Sequence, residues 1–177
     1  MKQNSDMRLL IAGGCGFIGV NLIELLRPAA RCIFALDDLS VGKTRYLRAV
    51  VPDLRTQQAL PPEGRQEPAG VWLIRGNVCD RRVLEKIMPR VDSVIHLAAH
   101  TRVIDSIQRP TYDMKINVQG TVNLLECARR HGVKRFVFAS SGCSVYGSEA
   151  PLPLKEAYVS LHLDTPYQIN KLVGELY

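Results

Sequence analysis

Tyr167 and Lys171 stand four positions apart and follow Pro166, a residue suited to the first turn of a helix. On a helix this spacing brings a phenol and an ammonium onto one face. A neighbouring cation favours the phenolate and is expected to lower the tyrosine pKa from its ordinary value of about 10. Such a pair can take a proton from an alcohol.

A second chemistry is carried by Gly13-Gly14-Cys15-Gly16-Phe17-Ile18-Gly19, which follows the apolar run Leu9-Leu10-Ile11-Ala12. Glycines at 13, 16 and 19 permit a tight turn, let backbone N–H groups approach a pyrophosphate, and let the next helix pack close to the strand. The positive end of that helix then faces the phosphates. A second apolar run, Arg31 to Leu36, ends at Asp37, 18 residues beyond Gly19. That is where a carboxylate accepts both hydroxyls of an adenosine ribose, and an acid there repels a 2′-phosphate. NAD is therefore expected over NADP, although Lys43 and Arg45 lie close by.

Strands and helices must alternate to position these groups. Further strands are predicted at 71–75, 92–96 and 135–140, and helices at 41–51, 81–88, from Pro110 to Arg130, and from near Pro166. Asp80 is a cap candidate, and Gly132 marks a helix end. Residues 52–70, rich in proline and glycine, read as a surface insertion. The pattern predicts an α/β fold, a Rossmann-type doubly wound parallel sheet with its ligand at the carboxyl ends of the strands. Strand 135–140 is expected to be left as an exposed edge.

The chain has 177 residues, 46% of them hydrophobic, and a net charge of +6. This fits one soluble domain spanning 1–177, with no bilayer-spanning run and no signal peptide. The positive charge is scattered, so no nucleic-acid partner is expected. Five cysteines, at 15, 32, 79, 127 and 143, form no C-x-x-C pair and suit reduced thiols in a cytoplasmic protein. No metal-ligand spacing accompanies His96 or His100, which read as structural or cofactor-adjacent, and Cys143 lacks a partner histidine that would make it a nucleophile.

From about Arg8 to Glu175 the ordered motifs resemble the extended short-chain dehydrogenase/reductase family, specifically its NAD-dependent nucleotide-sugar epimerases and dehydratases. Residues 13–19 are similar to GGxGFIG and Leu36 to Ser40 to xDNLS, with Asp38 in the usual Asn place. Gly76 to Asp80 resembles GDxxD with Asn77 for the first Asp, His96 to Ala99 resembles HLAA, Asn117 to Thr121 resembles NVxGT, and Tyr167 with Lys171 resembles YxxxK.

The resemblance implies a cofactor site of Gly13, Gly16, Phe17, Ile18, Gly19, Asp37, Asp38, Ser40, Asn77, Val78, Leu97, Ala98, Ala99 and Asn117, together with Tyr167 and Lys171. Asn77 would meet the adenine amino group, its amide oxygen replacing a carboxylate. Lys171 would also bond the nicotinamide ribose. The hydroxyl that holds the reacting sugar oxygen would come from Ser140 to Gly147, with Ser141 preferred and Ser144 second, since Gly142 occupies the commoner position.

Dehydratases and decarboxylating relatives place an acid in this loop, where the chain has Cys143-Ser144, so an epimerase is expected before a dehydratase or reductase. A non-catalytic NAD-binding module is the remaining alternative. Relatives continue into a C-terminal substrate domain, so the chain is expected to hold the cofactor-binding part and to stop before that domain. They also pair through a helix bundle, which here would use Pro110 to Arg130 and the helix near Pro166.

Overall fold

Leu9, Leu10, Ile11 and Ala12 are all buried because their strand is covered on both faces. The computed structural model describes residues 6–60, 69–147 and 149–177. Among these, six parallel strands form one sheet: β1 (Arg8–Ala12), β2 (Cys32–Asp37), β3 (Arg55–Thr56), β4 (Gly70–Arg75), β5 (Ser93–His96) and β6 (Arg135–Phe138). Their spatial order is β3-β4-β2-β1-β5-β6. The order reverses between β1 and β5, and Gly13 leaves β1 at that switch point.

Successive strand residues face opposite layers. Leu10, Phe34, Leu36, Trp72 and Val94 point to one layer, which is closed by α3 (Arg81–Ile87) and α6 (Gly120–Arg130) through Leu84, Ile87, Leu124 and Cys127. Leu9, Ile11, Ile33, Ala35 and Leu73 point to the other, closed by α1 (Phe17–Leu26) and α2 (Thr44–Val50) through Val20, Ile23 and Leu47. The chain is thus a doubly wound α/β sheet, as its alternation predicts.

The remaining helices gather at the carboxyl end of β6: α4 (Val103–Gln108), α5 (Pro110–Met114), α7 (Gly142–Val145) and α8 (Pro166–Leu176). The helix expected from Pro110 to Arg130 is interrupted by a π turn at Lys115–Gln119. From this wider turn Asn117 reaches back to the loop after β5. The helix expected at 41–51 begins only at Thr44, because Gly42 is pressed against Cys15, where a Cβ would lie 2.7 Å from the Cys15 carbonyl carbon.

The insertion expected at 52–70 is not wholly a loop. Arg55–Thr56 pairs with β4, and the Arg55 guanidinium lies 5.1 Å from the Trp72 ring centroid; residues 61–68 fall outside the described part. Strand β6 is the outer strand of the described sheet, with Val137 half exposed, and α8 lies against it through Gly174 and Phe138. No helix among the described residues is long and apolar enough to cross a membrane.

Helix α8, which carries Tyr167 and Lys171, starts in a capping box: the Thr165 hydroxyl accepts from Gln168 N, and the Gln168 side-chain oxygen accepts from Thr165 N at 3.0 Å. Gln168 Nε2 also donates to the Cys143 carbonyl at 3.1 Å, so the cap ties α8 to the serine loop. Thr165→Ala is expected to lower the free energy of unfolding by about 1 kcal/mol in urea titration.

Candidate functional site

Gly13 has φ +85°, and its N–H donates to the Leu36 carbonyl at 2.8 Å. A Cβ there would stand 2.8 Å from Ala98 N, and one at Gly19 would stand 2.3 Å from Gly13 O. Neither neighbour can yield, since both are backbone. Gly16 has no side chain with which to cap α1, whose first turn opens onto a cleft with Phe17 and Ile18 exposed at its mouth. The first N–H groups of a helix have no intrahelical carbonyl and carry its positive end. This cleft, of about 630 Å³, is also walled by Leu97, Ala98 and Ala99 from the end of β5.

Asp37, at the end of β2, lines the same cleft but is also structural. Its Oδ2 accepts from Cys15 N at 2.9 Å and its Oδ1 from Leu39 N at 2.8 Å. Burial raises its pKa above the ordinary carboxylate value, partly opposed by these two donors. Leu39 is held at φ 63°, a conformation that costs an ordinary residue energy and that no sequence signal announces. Asp38 accepts from Ser40 N, Ser40 Oγ and, at 2.7 Å, from Asn77 Nδ2. Asn77 Oδ1 accepts from Cys79 N at 2.8 Å, and Asn77 lines the cleft beside Val78.

The reactive residues form a second cluster. The Ser141 hydroxyl lies near enough to the Tyr167 phenol to draw its pKa down, and 3.1 Å from Cys143 Sγ. Ser144 is fully buried, and its hydroxyl has no partner among the described residues, so Ser141 is the serine presented to Tyr167. Tyr167 N donates to Ser106 Oγ at 3.2 Å, which fixes α8 to α4, and Asp105 on α4 lines the cleft. Ser141, Tyr167, Lys171 and Asn117 themselves stand outside the cleft lining.

The expected Tyr167 and Lys171 partnership takes a different form. Lys171 is 4% exposed; its ammonium donates to the Ala139 carbonyl at 2.6 Å and stands 4.1 Å from the Phe138 ring centroid. Burial lowers its pKa to about 8. The Tyr167 pKa is raised rather than lowered: burial dominates, the Ser141 hydroxyl opposes it, and Cys143 and Asp113 add to it. The i, i+4 spacing puts both residues on one side of α8, but the long lysine stem turns to the end of β6.

Sequence patterns missed the polar network behind this cluster. His100 lies between two carboxylates, Nδ1 being 2.8 Å from Asp113 and Nε2 2.7 Å from Asp105. The fully buried Asp113 also accepts from Asn117 Nδ2 and Asn170 Nδ2. Asn117 therefore clamps a wall of the cleft by holding both His100 N and His100 O. His96 is a core residue, with Nε2 3.0 Å from Thr121 Oγ1, and burial pushes its pKa down to about 3.

Residues 9–177 match the NAD dependent epimerase/dehydratase family. A putative UDP-glucose 4-epimerase of Methanocaldococcus jannaschii is 34% identical over 170 residues, covering 96% of this chain and 49% of that protein. A dTDP-glucose 4,6-dehydratase of Streptomyces antibioticus is 35% identical over 170 residues, covering 96% of this chain and 47% of its own. The structure of the Thermus thermophilus UDP-glucose 4-epimerase in complex with NAD has a TM-score of 0.77 and 32% identity, covering 97% and 49% of the two chains. The chain thus spans about half the length of the relatives it matches. A glycine-walled cleft at the sheet's switch point, a Ser141–Tyr167 pair beside it and this match over nearly every residue give one conclusion: the chain belongs to the NAD-dependent epimerase/dehydratase family, whose cofactor is NAD.

Proposed function

We propose that this chain is the cofactor-binding half of a nucleotide-sugar epimerase, a reading carried by the placing of Ser141 with Tyr167 at the carboxyl end of the sheet, close enough for the serine hydroxyl to draw the phenol's pKa down. The cleft fits NAD because its floor is backbone at Gly13 and Gly19, where any side chain would collide. Gly13, Gly16, Phe17, Ile18 and Gly19 would hold the pyrophosphate against α1, with Asp37, Asp38 and Ser40 at the adenosine ribose and Asn77 and Val78 at the adenine. Leu97, Ala98 and Ala99 would lie beneath the cofactor, and Asn117 would keep that wall in place. When bound, NAD supplies a hydride acceptor for one sugar carbon and a donor for its return to the opposite face. Tyr167 would take the proton of the sugar hydroxyl and Ser141 would hold that oxygen; Lys171 would bond the nicotinamide ribose on giving up the Ala139 carbonyl to which its ammonium now donates.

The loop favours an epimerase over a dehydratase. Elimination of water needs a proton donor beside the sugar, and the loop residues next to Ser141 are Gly142, Cys143 and Ser144. Incubation of a protein that spans the relatives' full length with UDP-glucose and NAD, followed by proton NMR of the sugar, tests the reading: an epimer at one carbon is expected, and a keto-deoxy product would replace it with the dehydratase.

The adenosine end gives a separate test. Calorimetric titration should show NAD bound more tightly than NADP, and Asp37→Ala should weaken NAD by at least about tenfold, close to 1.4 kcal/mol. Equal affinity of the variant would remove Asp37 from the site. We also place the protein in the cytoplasm, where its free thiols would stay reduced. Exposed Ile107, Met114, Ile169 and Leu176 on α4, α5 and α8 support a homodimer through these helices, which sedimentation would reveal.

A further inference from the structure

Glu85 on α3 and Cys127 and His131 at the end of α6 lie at the opposite end of the sheet from the cleft, since α6 runs directly into β6 at its amino end. Their sulfur, nitrogen and oxygen atoms all fall within 4.8 Å of one another. Glu85 Oε2 is 2.8 Å from His131 Nε2, and the Cys127 thiol lies within 4.8 Å of both. Arg130 takes the other oxygen, Oε1, at 2.6 Å, which leaves Oε2 facing Cys127 and His131. The burial is graded, with Cys127 buried, Glu85 half-buried and His131 exposed, so one side of the cluster is open to solvent.

We infer that Glu85, Cys127 and His131 form a binding site for a divalent transition-metal ion of the zinc type, with solvent as the fourth ligand. Cys127 and His131 are four positions apart, which puts them one above the other on one face as a helix ends, and Glu85 approaches from the packed neighbour α3. A thiolate, an imidazole and a carboxylate are a borderline-soft donor set that suits a tetrahedral d¹⁰ ion. The carbonyl end of α6 adds negative potential at the same place. On binding, the Cys127 thiol gives its proton to solvent and its sulfur bonds the ion, with no change of oxidation state; the neutral imidazole and the carboxylate contribute lone pairs. The ion would staple α3 to α6, two helices already joined by an ion pair between Arg81 and Glu126. Sequence spacing hides the site because Glu85 lies 46 residues before His131.

The test is titration of the reduced protein with Co²⁺, read by the thiolate-to-metal absorption band, and with Zn²⁺, read by thermal unfolding. One equivalent should produce the band, and saturating Zn²⁺ should raise Tm by roughly 5–10 °C. His131→Gln and Glu85→Gln, both at solvent-facing positions, should each weaken Co²⁺ by at least roughly tenfold, and Cys127→Ser should abolish the band. NAD affinity should be unchanged in His131→Gln. Absence of a thiolate band overturns the site, as does a band that survives both His131→Gln and Glu85→Gln and is lost in Cys143→Ser.

Discussion

Tyr167→Phe, in a protein that spans the relatives' full length, is expected to reduce the proposed turnover of a nucleotide sugar by roughly 10²–10⁴ while leaving the unfolding midpoint close to wild type. The substitution removes one oxygen from a half-buried ring held through its backbone by Ser106 and through its helix cap by Thr165, so its position survives. What is lost is the oxygen on which the Ser141 hydroxyl acts. A phenol is protonated at neutral pH, and burial raises the Tyr167 pKa further above its ordinary value, so only a minor fraction of the protein carries the phenolate proposed to accept a substrate proton. The wild-type kcat/KM should therefore rise between about pH 6 and pH 8 as that fraction grows, and the variant's residual rate should stay flat. Stopped-time NMR assays across this range decide the matter. Turnover of the variant within threefold of wild type would remove Tyr167 from proton transfer.

The parts legible in sequence are those in which one residue type answers one local demand. Glycines at 13 and 19 were readable because backbone atoms fill the space a side chain would need, and Asp37 because it ends the second apolar run 18 residues beyond Gly19, which brings it to the same cleft. Strand-and-helix alternation was enough for the fold, since the central strands β1, β2 and β4 bury both faces whereas the helices that cover them bury one. The short elements were not readable: β3 is two residues held by Arg55 on Trp72, and α4 is six residues without a side-chain cap. Neither carries enough periodicity to register. The Asp105, His100, Asp113, Asn117 and Asn170 network joins residues from three segments, and no local pattern links them. Spacing places Lys171 on the same side of α8 as Tyr167 and says nothing of its tip. The Ala139 carbonyl, a tertiary neighbour, settles where that ammonium goes.

Lys171→Met should separate what this residue does for the fold from what it does for chemistry. An ammonium that is 4% exposed and bonded to one carbonyl is poorly solvated, which is why its pKa falls from 10.5 to about 8. The unfolded chain holds the proton up to its ordinary pKa, whereas the folded chain gives it up near pH 8. Between these values the unfolded state binds more protons, so stability rises with pH there. The cost of the buried charge is fully present below pH 8 and vanishes as pH climbs past the unfolded value, and it amounts to about 3 kcal/mol. Methionine carries no charge in either state. Relative to wild type, Lys171→Met should therefore be most advantaged at neutral pH, with that advantage shrinking by about 3 kcal/mol as the pH approaches 10.5. Urea unfolding of both proteins at a series of pH values measures the difference directly, and the titration of other groups cancels in the comparison. Turnover should fall by roughly 10² or more, since the ammonium proposed to hold the nicotinamide ribose is gone. A pH-independent stability difference would mean that Lys171 is solvated in the folded protein, and the strained, buried cation would then be no part of how this site works.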